Sequence, residues 1–168
     1  MTLRAATGRR ATAPVVVAAL AALAVAVLSG LMTEIGDWYY GLRQPAWKAP
    51  DWLFGPAWTL IFALSAMAGV TAWRAIESRA QREWLLVLFA LNGFLNVLWS
   101  LLFFRLQRPD WAQYEVAFLW LSIVVLIVFV GRHSRLAAWL LLPYLAWVSF
   151  AAVLNGAVVR LNGPFGAG

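Results

Sequence analysis

A chain of 168 residues is long enough for one ordinary domain, but 64% hydrophobic and only 12% charged residues is not a soluble composition. The net charge of +6 comes from basic residues scattered in ones and twos at the ends of apolar runs, which fits membrane topology signals and not a nucleic-acid surface. There is no cysteine, which excludes disulfides, iron–sulfur clusters and thiol chemistry.

A hydrocarbon core of ~30 Å needs about 20 apolar residues at ~1.5 Å each. Five runs reach that length: Pro14 to Met32, Leu53 to Trp73, Trp84 to Phe104, Trp111 to Gly131 and Leu136 to Val159. The expectation is an all-α membrane protein, a bundle of five transmembrane helices. Residues 1–13 form a basic N-terminal tail, 14–160 the transmembrane domain and 161–168 a C-terminal tail. Counting Lys and Arg along the alternating topology gives eight against five in favour of a cytoplasmic N-terminus.

The first run follows Arg4, Arg9 and Arg10, and Ala24-Val25-Ala26 resembles a signal-peptide cleavage site. Against cleavage, the run is longer than a usual signal core, and Ala18, Ala22, Ala26 and Gly30 put small side chains on one face, as in a close-packed membrane helix. The segment from Glu34 to Trp52 is too long for a plain turn. It contains Trp38, Tyr39, Tyr40, Trp47 and Trp52, costly to leave in water, and Pro45 and Pro50, which restrict the backbone. It is expected to fold onto the bundle as a lid.

The later connections are short, so successive helices should be antiparallel neighbours. In the second run, Trp58 lies roughly 7 Å below the lid-side surface, the same depth as Trp99 in the third. In the third run, Asn92, Asn96, Trp99 and Phe103 share one helix face. Glu115, one turn inside the fourth run, reads as an interfacial carboxylate beside Arg105 or Arg108. In the fifth run, Tyr144, Trp147, Ala151 and Leu154 share a face, with Asn155 at its edge.

An aromatic belt accounts for Trp73, Trp84, Trp111 and Trp139 at the ends of runs, but poorly for Trp120 and Trp147 near mid-run. Interhelical hydrogen bonding and packing is the ordinary use of the intramembrane asparagines. The convergence of Trp, Asn and Tyr at one depth beneath a proline-stiffened loop points instead to a pocket for a large, planar, hydrophobic ligand. The lone histidine, His133, sits in a loop between Arg132 and Arg135, so neither a metal site nor a His-ligated haem is expected. Paired intramembrane carboxylates, a nucleophile elbow and a phosphate-binding glycine loop are all missing from the sequence.

Three separated motifs, WYYGLRQPAWKAPDWLFGPAWT from Trp38, NGFLNVLWSLLFF from Asn92 and PYLAWVSFAAVLN from Pro143, resemble the translocator protein family, TspO/MBR or tryptophan-rich sensory proteins. The resemblance covers nearly the whole chain. It implies a five-helix bundle, usually a homodimer, acting as an integral membrane receptor or carrier. The ligand would be a tetrapyrrole such as protoporphyrin IX or another planar hydrophobic molecule, bound with no resident cofactor or metal. By motif position, Trp58, Asn96 and Trp147 become the principal pocket residues, with Trp38, Tyr39, Trp47, Asn92, Trp99, Tyr144, Ala151 and Leu154 as wall positions. The alternative it implies is a light- and oxygen-dependent porphyrin-degrading enzyme using Trp58 and Trp147.

Some positions depart from the family pattern. Ala49-Pro50 replaces a frequent Pro-Pro, and Ile61-Phe62 replaces a Leu-Tyr, which removes a hydroxyl. Gly156 stands where animal members carry the tyrosine of a cholesterol-recognition segment, so binding of sterol-like lipids there is doubtful, although Arg160 is kept. Surrounding membrane lipid is the remaining expected partner. Helical composition favours an inner membrane, while the family is linked to outer membranes too.

Overall fold

The computed structural model describes the backbone of residues 3–166 and the side chains of residues 12–166. The elements are α1 (Leu3–Met32), α2 (Asp37–Gly41), α3 (Asp51–Ala75), α4 (Arg79–Ser100), a π-helical turn (Leu101–Arg105) that continues α4, α5 (Pro109–Gly131) and α6 (Arg135–Asn162). No strand occurs among the described residues. The five expected spans are all present, and each helix outlasts its apolar run. With no water in the bilayer core, every backbone N–H and C=O must bond within its own segment, which makes helix the only solution for these runs.

Helix limits follow local chemistry. α5 starts with Pro109 in its first turn, where a missing N–H costs nothing. The Ser134 hydroxyl accepts from the Ala137 N–H at 3.3 Å and caps α6. Pro56 and Pro143 lie inside α3 and α6, each leaving one carbonyl without its usual partner. α1 begins at Leu3, well ahead of the expected span, because Pro14 does not stop a segment of Ala, Arg and Leu that favours helix.

α4 packs on α5 and α5 on α6 as antiparallel neighbours, as expected of successive helices, but α3 and α4 meet little despite their short connection: α3 packs on α6, and α1 is set against α3 and α4. Three apolar clusters stack along the bundle. Ala68, Ala72, Ile76, Leu85, Leu126 and Leu141 fill the end with the short loops. Ile61, Val116, Leu119, Ile123, Tyr144 and Val148 fill the middle. Tyr39, Phe103, Ala112 and Val158 fill the end beneath the long loop. α1 is the outlier: Ser29 is its only buried side chain among the described residues. Its Ala18/Ala22/Ala26/Gly30 stripe is not closely packed along its length, since a Cβ at Gly30 would meet nothing within 4 Å.

Candidate functional site

The α1–α3 loop is folded over one end of the bundle through Trp38 and Tyr39, with polar contacts holding it there, whereas Tyr40, Trp47 and Trp52, also expected to be covered, stay exposed. Asp51 Oδ1 accepts from Lys48 Nζ at 2.6 Å and from the Tyr39 hydroxyl at 2.9 Å. Lys48 Nζ also lies 5.0 Å from the centre of the Tyr39 ring. Burial pushes the Tyr39 phenol above its ordinary pKa. For Lys48, burial alone acts downward, but hydrogen bonds to Asp51 and Tyr39 more than reverse it and hold the ammonium above its ordinary value. A second latch is reciprocal: the Arg43 N–H donates to Asn162 Oδ1 at 2.7 Å, and Asn162 Nδ2 donates to the Arg43 carbonyl at 2.9 Å. Arg105 and Glu34, 2.9 Å apart, tie the π-helical turn to the start of the loop.

Beneath the loop, aromatic rings fill most of the space. Trp99 stacks on Phe103 at 5.2 Å, and Trp38 meets Phe103 edge-on at 6.1 Å. Trp58 stacks on Phe62 at 5.4 Å and meets Tyr144 edge-on. Trp147 packs edge-on against Phe54, and Trp47, half exposed, against Phe150. What remains is a cavity of about 40 Å³ lined in part by Tyr39, Phe54, Trp99, Ala151, Leu154 and Asn155. Small-molecule pockets run to roughly 300–1,000 Å³. The rings therefore fill the space where a pocket was expected, packing against one another.

Three polar atoms in this region are buried without a hydrogen-bond partner: Trp99 Nε1, Trp147 Nε1 and Asn155 Oδ1. The Asn155 Nδ2 is engaged, donating to the Pro109 carbonyl at 3.2 Å. Asn96 is fully committed to packing the helices together: Ser29 Oγ donates to its Oδ1 at 3.0 Å, and its Nδ2 donates to the Tyr144 hydroxyl at 3.2 Å. Asn92 Nδ2 donates to Ser122 Oγ at 2.8 Å. These asparagines face inward as expected and join α1, α4, α5 and α6.

A second, much larger cavity of about 1010 Å³ lies between α1, α3 and α4. Asn92 and Tyr144 reach its wall, so the expected site residues are divided between two cavities. Trp38, Trp47, Trp58, Asn96 and Trp147 line neither, although Phe62, under Trp58, lines the large one and Phe54, against Trp147, lines the small one. Sequence reasoning missed Phe54 and Phe104 as wall residues. Phe54 carried a signal, since it lies four residues before Trp58 on the same helix face.

One expectation is corrected. Glu115 is not an interfacial partner of Arg105 or Arg108: it is 6% exposed on the inward face of α5, and neither carboxylate oxygen meets a donor among the described residues. Arg105 is taken by Glu34 and Arg108 by Asp110. Trp120, near mid-run, turns outward and donates its Nε1 to Ser149 Oγ at 2.9 Å, a tie between α5 and α6.

Residues 16–161 match the TspO/MBR family. The chain belongs to that family. It is 41% identical over 131 residues to "Tryptophan-rich protein TspO" of Chlorobaculum tepidum, covering 75% of this chain and 80% of that one. It is 31% identical over 126 residues to the human "Translocator protein", covering 74% and 75%, and 30% identical over 143 residues to the "Tryptophan-rich sensory protein" of Cereibacter sphaeroides, covering 85% and 88%. With five spans and TspO/MBR membership, the chain is an integral, multi-pass membrane protein. The family's sterol segment remains incomplete here: Gly156, in place of the tyrosine, lies against the Gln113 side chain.

Proposed function

We propose that this TspO/MBR protein is a membrane receptor or carrier for tetrapyrroles such as protoporphyrin IX and other planar hydrophobic ligands, admitted beneath the α1–α3 loop. The observation that carries this reading is the set of unpartnered polar atoms among stacked rings, Trp99 Nε1, Trp147 Nε1 and Asn155 Oδ1, under a loop held by two latches. Leaving two donors and an acceptor buried and unpaired costs stability, and a planar ligand carrying both acceptors and N–H groups satisfies them while sliding between the rings. The names of the relatives, sensory protein and translocator, agree with a receptor or carrier role. Entry requires the latches to open and Phe54, Trp99 and Phe103 to separate.

The test is titration of the purified protein with protoporphyrin IX in the dark, following tryptophan quenching, against Trp58→Phe, Asn96→Ala and Trp147→Phe. Saturable quenching weakened by these changes supports the pocket. Linear quenching indifferent to them means partitioning into the micelle and sinks it. The second reading, light- and oxygen-dependent breakdown of porphyrin, has one observation in its favour: Trp58 and Trp147 pack against the same central cluster. Identical bleaching under irradiation by a Trp58→Phe/Trp147→Phe double variant would eliminate it.

A further inference from the structure

The large cavity between α1, α3 and α4 is separate from the loop-covered pocket and lies toward the opposite membrane face. Its wall runs along α1 from Ala13 to Leu28, roughly 22 Å at ~1.5 Å per residue. That exceeds the ~15 Å of one leaflet's hydrocarbon. Inside, the surface is almost wholly apolar. Asn92 and Tyr144 are already bonded to Ser122 and Asn96, and the Ser65 hydroxyl is buried without a partner. α1 touches the bundle closely near Gly93, where a Cβ would come within 2.9 Å of Val25 Cγ2.

Its mouth is basic. Arg82, Leu85, Leu86 and Phe89 share one face of α4, and the last three line the cavity. The Arg82 guanidinium lies 5.2 Å from the centre of the Trp73 ring, another lining residue, and its Nε donates to the Ile76 carbonyl at 2.9 Å. No carboxylate pairs with Arg82 among the described residues, and nearby Glu83 is engaged by Arg79 at 2.9 Å. α1 carries Arg10 one turn before Ala13. This end of the chain carries Arg74, Arg79, Arg82, Arg132 and Arg135 with Glu77 and Glu83. The count of basic residues favours the cytoplasmic side for this end, where the leaflet attracts such groups through anionic headgroups.

We infer that this groove is a site for one anionic glycerophospholipid, with its acyl chains lying between α1, α3 and α4 and its phosphate against Arg82. The volume, about 1010 Å³, suits a lipid-sized occupant, and the charge at the mouth selects its headgroup. Arg82 supplies a planar, forked donor already oriented by Trp73 and the Ile76 carbonyl, the geometry that favours phosphate.

The test is native mass spectrometry of the full chain equilibrated with equal amounts of phosphatidylglycerol and phosphatidylcholine of identical acyl chains. Wild type should retain one phosphatidylglycerol with a preference on the order of five-fold, as expected for one arginine at a membrane surface. Arg82→Gln should bring that preference near unity while one lipid of either kind is still retained, which also shows that the groove has not collapsed. Ala66→Phe, which fills the groove and leaves Arg82 untouched, should abolish retention of both, with circular dichroism unchanged. Equal retention of the two lipids by wild type, or a preference that survives Arg82→Gln, overturns the inference. So does full retention in Ala66→Phe, because it would place the lipid elsewhere on the protein.

Discussion

Replacing Asp51 by alanine is expected to release one half of the loop while leaving the other in place. Asp51 Oδ1 is the common acceptor for Lys48 Nζ and the Tyr39 hydroxyl, so one substitution removes both bonds. A hydrogen bond to a charged group contributes about 1.5–3 kcal/mol when well shielded. The Asp51 side chain is 44% exposed and that of Lys48 15%, so solvent screening reduces the whole latch to roughly 1–2 kcal/mol. Since about 1.4 kcal/mol is tenfold in an equilibrium constant, the open fraction of this half should rise about 5- to 30-fold. The Arg43–Asn162 pair is untouched and should hold its own end. Amide hydrogen exchange in lipid nanodiscs reads this without any ligand: Trp47, Lys48 and Ala49 should lose protection while Arg43 keeps it. If protoporphyrin IX is bound, its release to a scavenging apoprotein should accelerate by a similar factor. Unchanged exchange at Trp47 to Ala49 would refute the latch, and faster exchange with unchanged release would refute the loop as the gate.

Three further outcomes are expected. Asn96→Ala removes the bonds to Ser29 and Tyr144, and unfolding in an SDS titration should show a loss of about 1–2 kcal/mol, as for other interhelical polar contacts in membranes; an unchanged midpoint would mean that packing alone holds α1. Gly93→Val places a methyl-bearing carbon where even a Cβ is 2.9 Å from Val25, so α1 must move off α4 at about 1–3 kcal/mol, and wild-type thermal stability would show that the contact yields freely. Glu115→Leu removes a buried carboxyl whose oxygens find no donor among the described residues, and should raise thermal stability in detergent by about 1 kcal/mol or more, whereas a fall would reveal that the carboxyl is engaged.

The helices were legible because a bilayer leaves each apolar run one solution, and the inward faces were legible because Asn92, Asn96 and Trp99 on α4, and Tyr144, Trp147 and Ala151 on α6, repeat at helical spacing, and the asparagines cannot face lipid unpaired. The lid was legible from the cost of leaving Trp38 and Tyr39 in water. The latches were not: the pairing of Arg43 with Asn162 joins residues 119 apart in the chain, and nothing local to either marks the other. Glu115 shows the same limit in reverse. Its depth invited a partnership with Arg105 or Arg108, but each arginine had a nearer carboxylate, Glu34 or Asp110, and the helix phase shared with Ala112 and Leu119 carried Glu115 inward.

The state of the pocket was hidden for a different reason. A list of aromatic residues at one depth is the same whether their rings enclose a ligand or fill its place, because stacking such as that of Trp99 on Phe103 is favourable in both cases. What separates a packed core from a closed site is its polar remainder. A core built only for stability pairs its buried donors, as Asn92 does with Ser122, whereas Trp99 and Trp147 keep their indole N–H groups buried and unpaired. Placing a hydrogen-bond acceptor there should therefore stabilise the ligand-free protein and weaken binding together. Ala151→Ser introduces one on the wall of the small cavity, which Trp99 also lines. A rise in thermal midpoint with weaker protoporphyrin IX binding is the expected pair of results, and a rise in stability with unchanged affinity would show that the unpaired N–H groups take no part in holding the ligand.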